Sequence, residues 1–98
     1  MTINVERDFE LVNLEITGRL DTTTAPVLDK TINEELKDVE NLVLDLKGLE
    51  YISSAGLRVL LNAQKKMQRV GSMKLKNVSE AVMDVFEMTG FADILEIE

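Results

Sequence analysis

The stretch NLVLDLKGLEYISSAGL, Asn41 to Leu57, reads as a strand, a break and the start of a helix. Leu and Val dominate residues 41–46, which suits a central strand covered on both faces. Gly48 then breaks the strand. A helix is expected over 54–69, with Leu57, Leu60, Leu61, Gln64 and Met67 along one stripe. Lys65, Lys66 and Arg69 fall near its end, where cations complement the helix dipole, and Gly71 suits the position just past it.

The same pattern extends to both sides. Residues 2–7 read as a strand with Ile3 and Val5 on one face. Residues 10–18 read as a second strand, with Val12, Leu14 and Ile16 alternating with Asn13, Glu15 and Thr17. Asp8-Phe9 supplies a hairpin turn without the usual Asn-Gly signal. A helix follows over 24–37, with Leu28, Ile32 and Leu36 repeating every fourth residue and Val27 beside them. Thr23 or Thr24 is its N-cap, and Pro26 fits the first turn because it lacks an N–H that a helix start cannot use. Beyond Gly71, Met73-Lys74-Leu75 is a short strand. Ser79 caps a third helix with Val82, Val85, Phe86 and Thr89 inward, and Gly90 ends it. Ile94, Leu95 and Ile97 complete the series as a last strand. The expected order is β-β-α-β-α-β-α-β. That is an α/β fold, one domain over residues 1–98, with a mixed sheet of about four to five strands and helices packed on it.

Composition excludes several kinds of chemistry. The chain of 98 residues has no histidine and no cysteine. Ser-His-Asp and Cys-His catalysis, disulfides and zinc sites built on His or Cys therefore need residues that it lacks. Its charge of −7, from 18 acidic and 11 basic residues, disfavours sequence-blind binding to nucleic acid or anionic membranes. No apolar run is long enough for a transmembrane helix, and the first residues lack the basic-then-apolar order of a secretory signal. The cytoplasm is the expected compartment.

Candidate chemistry gathers where the central strand hands over to its helix. Open α/β sheets place ligand sites beyond the carboxyl ends of their strands, and a helix start offers unpaired N–H groups and partial positive charge. Three readings are open for Ser53 and Ser54. Either caps the helix; either is a regulatory phosphoserine, tolerated by the dipole; or one is a nucleophile. Nucleophilic catalysis lacks a base, since neither Lys47 nor Lys65 stands in Ser-x-x-Lys spacing to them. No catalytic residue is assigned. Gly48 and Gly56 do not form a phosphate-binding loop. Asp21, Asp45 and Glu50 are either capping and solvated acids or a magnesium cluster, and the former is adopted: no metal and no cofactor is expected. Met67, Met83 and Met88 read as core gap-fillers.

These segments together resemble a known family. Gly18-Arg19-Leu20-Asp21, Leu42-Val43-Leu44-Asp45-Leu46, the run from Tyr51-Ile52-Ser53-Ser54-Ala55-Gly56-Leu57 through Arg58-Val59-Leu60-Leu61, and the closing segment Val82 to Gly90 stand in matching order and spacing. The chain is similar over essentially its whole length to the anti-sigma factor antagonists of bacteria, single-domain members of the STAS class. The resemblance implies a binding module. Its unphosphorylated form would hold an anti-sigma factor that is also a serine kinase, freeing a sigma factor. Phosphorylation of a serine at the start of the second helix would release the kinase, and a metal-dependent serine phosphatase would reverse it. The family pattern is Asp-Ser-(Ser/Ala)-Gly, which places the modified serine at Ser54. Ser53 stands where the Asp is common and is the second choice. Asp21 matches an acidic position beside the phosphosite. The implied partner surface comprises Asp21, Thr22, Thr23, Ser53, Ser54, Ala55, Gly56 and Arg58, on a chain that is a monomer when free. The alternative is an unswitched STAS scaffold docking on a transporter ATPase or within a larger signalling assembly. A nucleotide-binding or nucleotide-hydrolysing enzyme is the third reading, and no phosphate loop supports it.

Overall fold

A computed structural model describes residues 1–98. The elements are β1 (Thr2–Asp8), β2 (Leu11–Leu20), α1 (Ala25–Glu35), β3 (Asn41–Ile52), α2 (Ser54–Val70), β4 (Ser72–Lys76) and α3 (Glu80–Thr89), with a 3-10 turn at Phe91–Asp93. The sheet runs β1-β2-β3-β4. β1 and β2 form an antiparallel hairpin, while β2, β3 and β4 are parallel, joined through α1 and α2. The hairpin turn falls on Phe9-Glu10, one residue later than expected. Phe9 takes the left-handed backbone (φ 56°) that Asn or Gly usually supplies.

One face of the sheet is covered. Val12, Leu14 and Ile16 of β2, Leu42, Leu44 and Leu46 of β3, and Met73 and Leu75 of β4 are all buried. They join Leu28 and Ile32 of α1, Leu57, Leu60 and Met67 of α2, and Val82 and Phe86 of α3 in one core. The opposite face stays open: Glu15 is exposed, and Asn13, Val43, Asp45 and Lys74 are half-buried. The expectation that both faces of β3 are covered is therefore corrected; its leucines alone carry the burial. Burial of this apolar face, at roughly 25 cal/mol per Å², is the main force holding the layers together.

β3 also runs further than expected. Its buried residues step by two through Leu42, Leu44 and Leu46, and then by three to Leu49 and Ile52. The register against β2 shifts at the same places, between Glu15 and Thr17 and between Gly18 and Arg19. Each shift puts one extra residue in β3, a β-bulge, and this is why the period-2 signal fails there. Gly48 does not break the strand. It lies in the first bulge against Thr17, where a Cβ would stand 2.5 Å from Thr17 Cγ2.

Other expectations are corrected near the surface. The last strand is a single bridge between Leu75 and Ile97, with Leu75 N–H donating to Glu96 O and Glu98 N–H to Leu75 O at 2.9 Å each. Ile94 and Leu95 do not extend, because both of their N–H groups donate back to Phe91 O, and Ile94 is left exposed. Val27 and Met88 are exposed, and so is Thr89, whose hydroxyl donates back to Val85 O. Met67 fills the core and Met83 packs against it. α1 ends under Arg7 of β1, whose guanidinium donates to Lys37 O at 2.7 Å and Glu35 O at 3.3 Å. Glu35 O is one of the carbonyls that the helix end leaves without a partner, and Lys37 O lies just past it.

Candidate functional site

The parallel pairing of β2 and β3 brings two chain turns together. Arg19 lies opposite Tyr51 and Leu20 opposite Ile52. Ser53 N–H then donates to Leu20 O at 2.8 Å, which ties the start of α2 to the turn before α1. Close packing underlies the contact. A Cβ on Gly56 would meet Leu20 Cγ at 2.7 Å and Ile52 Cγ1 at 2.9 Å. Gly56 is buried, so it supports the site from below instead of forming part of its exposed surface.

The two serines divide their roles. Ser53 is the N-cap, in extended backbone, and its hydroxyl accepts from Gly56 N–H at 3.4 Å. Ser54 is the first helical residue and is exposed. The first turn of α2 contains no acidic residue. The positive end of its dipole is thus not offset by a side chain.

The turn before α1 is internally satisfied. Asp21 Oδ1 accepts from the Thr23 hydroxyl at 2.7 Å, Thr23 N–H at 3.0 Å and Thr24 N–H at 3.1 Å. The Thr23 hydroxyl first, then the two N–H groups, hold the Asp21 carboxyl down at about 2. Thr24 occupies the N-cap position, but its hydroxyl accepts from Asp21 N–H and donates to Arg19 O, both at 2.8 Å, and does not cap α1. Thr22 and Thr23 are exposed. Thr22, Pro26, Ala55 and Arg58 line a cavity of about 290 Å³ between the starts of α1 and α2.

Arg19 and Tyr51 complete the surface. The guanidinium lies 4.2 Å from the centre of the Tyr51 ring, and Arg19 Nε is 3.9 Å from Asp21 Oδ2. A cation over a ring face at this distance is attracted by its quadrupole. Sequence reasoning did not single out these two residues, because only the β2–β3 register brings them together. Asp21, Asp45 and Glu50 do not converge, and no three acidic side chains form a cluster able to hold a metal. Asp45 lies on the open face of the sheet. Burial pushes its carboxyl up, but Asn77, Lys47 N–H and the nearby Lys76 and Lys47 charges outweigh it, leaving it below the usual range.

Residues 2–98 match the STAS domain family. The chain belongs to that family. It is 31% identical over 98 residues to the anti-sigma-B factor antagonist of Bacillus subtilis, covering 99% of this chain and 90% of that protein. Among solved structures it is similar to an anti-sigma factor antagonist from Mycobacterium paratuberculosis, with a TM-score of 0.88 and 25% identity over 98% of this chain and 83% of that one. Bacillus SpoIIAA shares the fold at 20% identity. Its unphosphorylated form superposes with a TM-score of 0.84, covering 99% of this chain and 88% of that one; for its phosphorylated form the values are 0.77, 99% and 91%. No helix of this STAS domain is long and apolar enough to cross a membrane.

Proposed function

We propose that this chain is an anti-sigma factor antagonist whose binding is switched at Ser54. The unphosphorylated form binds an anti-sigma factor with serine kinase activity and thereby frees a sigma factor in the cytoplasm. Phosphorylation of Ser54 by that kinase ends the complex, and a metal-dependent serine phosphatase restores it. One observation carries the reading: Ser54 is exposed at the first position of α2, while its neighbour Ser53 already serves as the cap. A phosphate on Ser54 adds about −1.5 to −2 charges and meets the favourable end of the helix dipole, so the fold tolerates it. A docked partner does not, because burying an imperfectly paired dianion costs several kcal/mol. The exposed Thr22 and Thr23, in the turn that Asp21 fixes, and the exposed Arg58 of α2 form the rest of the partner surface.

The test is the intact mass of the protein purified from its host, before and after phosphatase, followed by site mapping. One removable phosphate on Ser54 is expected, together with loss of binding to the host's anti-sigma factor. A phosphate on Ser53 moves the switch by one residue. No phosphate under any growth condition, with a stable complex on a transporter ATPase, overturns the proposal in favour of an unswitched scaffold.

A further inference from the structure

Charge is unevenly placed in this chain. α2 holds four of the eleven Lys and Arg and none of the eighteen Asp and Glu, so the helix is +4 and everything else together −11. Arg58, Lys65, Lys66 and Arg69 are all exposed. The chain forms four ion pairs and none involves α2. Lys66 donates to the Asn33 side chain on α1, a neutral partner. The helix dipole accounts for Arg69, which sits in the last turn. It does not account for Lys65 and Lys66, which precede that turn, or for Arg58 near the opposite end, because the effect fades within one turn.

The same residues line a trough between α1 and α2. One part, of about 350 Å³, is lined by Asp29, Asn62, Lys65, Lys66 and Arg69, with no hydrophobic side chain. Asp29 and Asn62 also line the cavity beside Ala55 and Arg58, so the two adjoin end to end along α2. The trough runs from next to Ser54 to the last turn of α2, roughly 21 Å along the helix at 1.5 Å per residue. That length seats about six residues of extended chain.

We propose that this trough is the docking surface for an acidic segment of the protein partner that engages Ser54. The inference rests on the partner reading of the α2 start and adds the extent and charge of the contact. Four cations without carboxylate partners, in a chain rich in carboxylates, are matched by carboxylates from outside. A protein segment is favoured over nucleic acid because a long polyanion must also pass the −11 remainder, whereas a short segment stays within the trough. A phosphate on Ser54 stands at the head of this path. It acts on the entering acidic segment within the Debye length of roughly 8–10 Å, so the switch has an electrostatic reach beyond direct contact.

Two measurements test this. In the first, ¹⁵N-labelled protein is titrated with a hexaglutamate peptide at low salt. Amide shifts confined to α1 and α2, lost in the Lys65→Glu/Lys66→Glu variant, are expected; shifts that are absent or spread over the chain overturn the proposal. Tighter binding of a single-stranded oligonucleotide at the same amides also overturns it. In the second, the host's anti-sigma factor is titrated against wild type, Lys65→Glu/Lys66→Glu, and a Lys37→Glu/Lys47→Glu control away from the trough. The trough variant is expected to bind at least tenfold more weakly at low salt, with the gap narrowing in high salt, and the control within twofold. Equal binding by the trough variant overturns the inference even where Ser54 phosphorylation still abolishes binding. Trough-confined glutamate shifts with no binding of the anti-sigma factor overturn the partner reading and leave an acidic-segment site.

Discussion

Ser53-Ser54-Ala55-Gly56 opens α2, and Ser79-Glu80-Ala81-Val82 opens α3. In each the leading serine is the N-cap, in extended backbone, and its hydroxyl accepts from the N–H three residues on, at 3.4 Å from Gly56 and 3.3 Å from Val82. The next position diverges. α3 places the permanent carboxylate of Glu80 where the dipole favours an anion, and α2 places a hydroxyl. The fourth position diverges as well. Val82 fills the core at 1% exposure, whereas Gly56 has no side chain because Leu20 and Ile52 already occupy the space. The α3 start is a finished structural cap. The α2 start is the same cap with its anion position open and its backbone drawn against a neighbouring strand end. What distinguishes the candidate site is thus what its cap leaves unsatisfied.

The largest expected effect follows from filling that position. Phosphate on Ser54 lowers affinity for the anti-sigma factor a hundredfold or more, about 3 kcal/mol by calorimetric titration, while the melting temperature stays close to that of the unmodified chain. Glu80→Ser, which makes α3 resemble α2, leaves that affinity within twofold. Binding that survives Ser54 phosphorylation breaks the comparison, since an anion at either helix start would then be inert.

The second effect tests the packing difference. Gly56→Val gives α2 the residue that α3 carries, and it forces a Cβ to 2.7 Å from Leu20 Cγ. Overpacking of this kind costs about 1–3 kcal/mol, read from urea unfolding. A loss under about 0.5 kcal/mol shows that the α2 start is no more tightly held than the α3 start.

The caps themselves come next. Ser53→Ala and Ser79→Ala are each expected to cost about 1 kcal/mol, and Ser54→Ala to stay within about 0.5 kcal/mol, because its hydroxyl makes no hydrogen bond within the chain. If Ser54→Ala costs as much as Ser53→Ala, the two serines exchange roles.

How much of this was legible in the sequence follows physical lines. The helices and the β2 strand carry strong local periods, so Val12, Leu14, Ile16, Leu28 and Ile32 are placed correctly from spacing alone. Residues 47–52 are misread because a bulge changes the burial step from two to three, and a bulge depends on the partner strand. Spacing also left open which serine caps α2, since both are good N-caps; backbone angle and the Gly56 hydrogen bond assign Ser53. The Arg19–Tyr51 stack and the Leu20–Ser53 hydrogen bond join residues about thirty positions apart, and only sheet register reveals them. The trough needs both helices in place, although the absence of acids from α2 is visible in its sequence.

The smallest effect concerns the turn before α1, where a carboxylate is already bound by its own chain. Asp21 has a folded-state pKa of about 2 against an ordinary 3.8. Its folded pKa is depressed, so its contribution to stability is fully present above about pH 4 and is lost as pH falls toward 2. Asp21→Asn removes the charge but keeps an acceptor oxygen, and its stability should lack this portion of the acid dependence. The direct measurement is the carboxyl ¹³C shift of Asp21 between pH 1 and 5, with a midpoint near 2 expected; a midpoint near 4 means that the Thr23 and Thr24 hydrogen bonds do not hold in solution. The same titration sharpens the comparison of helix starts. Leu20 O ties this turn to Ser53, so a phosphate on Ser54 adds a like charge nearby and raises the Asp21 midpoint. Glu80→Gln, which removes charge from the α3 start, leaves it where it was. A midpoint that ignores Ser54 phosphorylation separates the two turns electrically, and the partner surface then reduces to the α2 start and its trough.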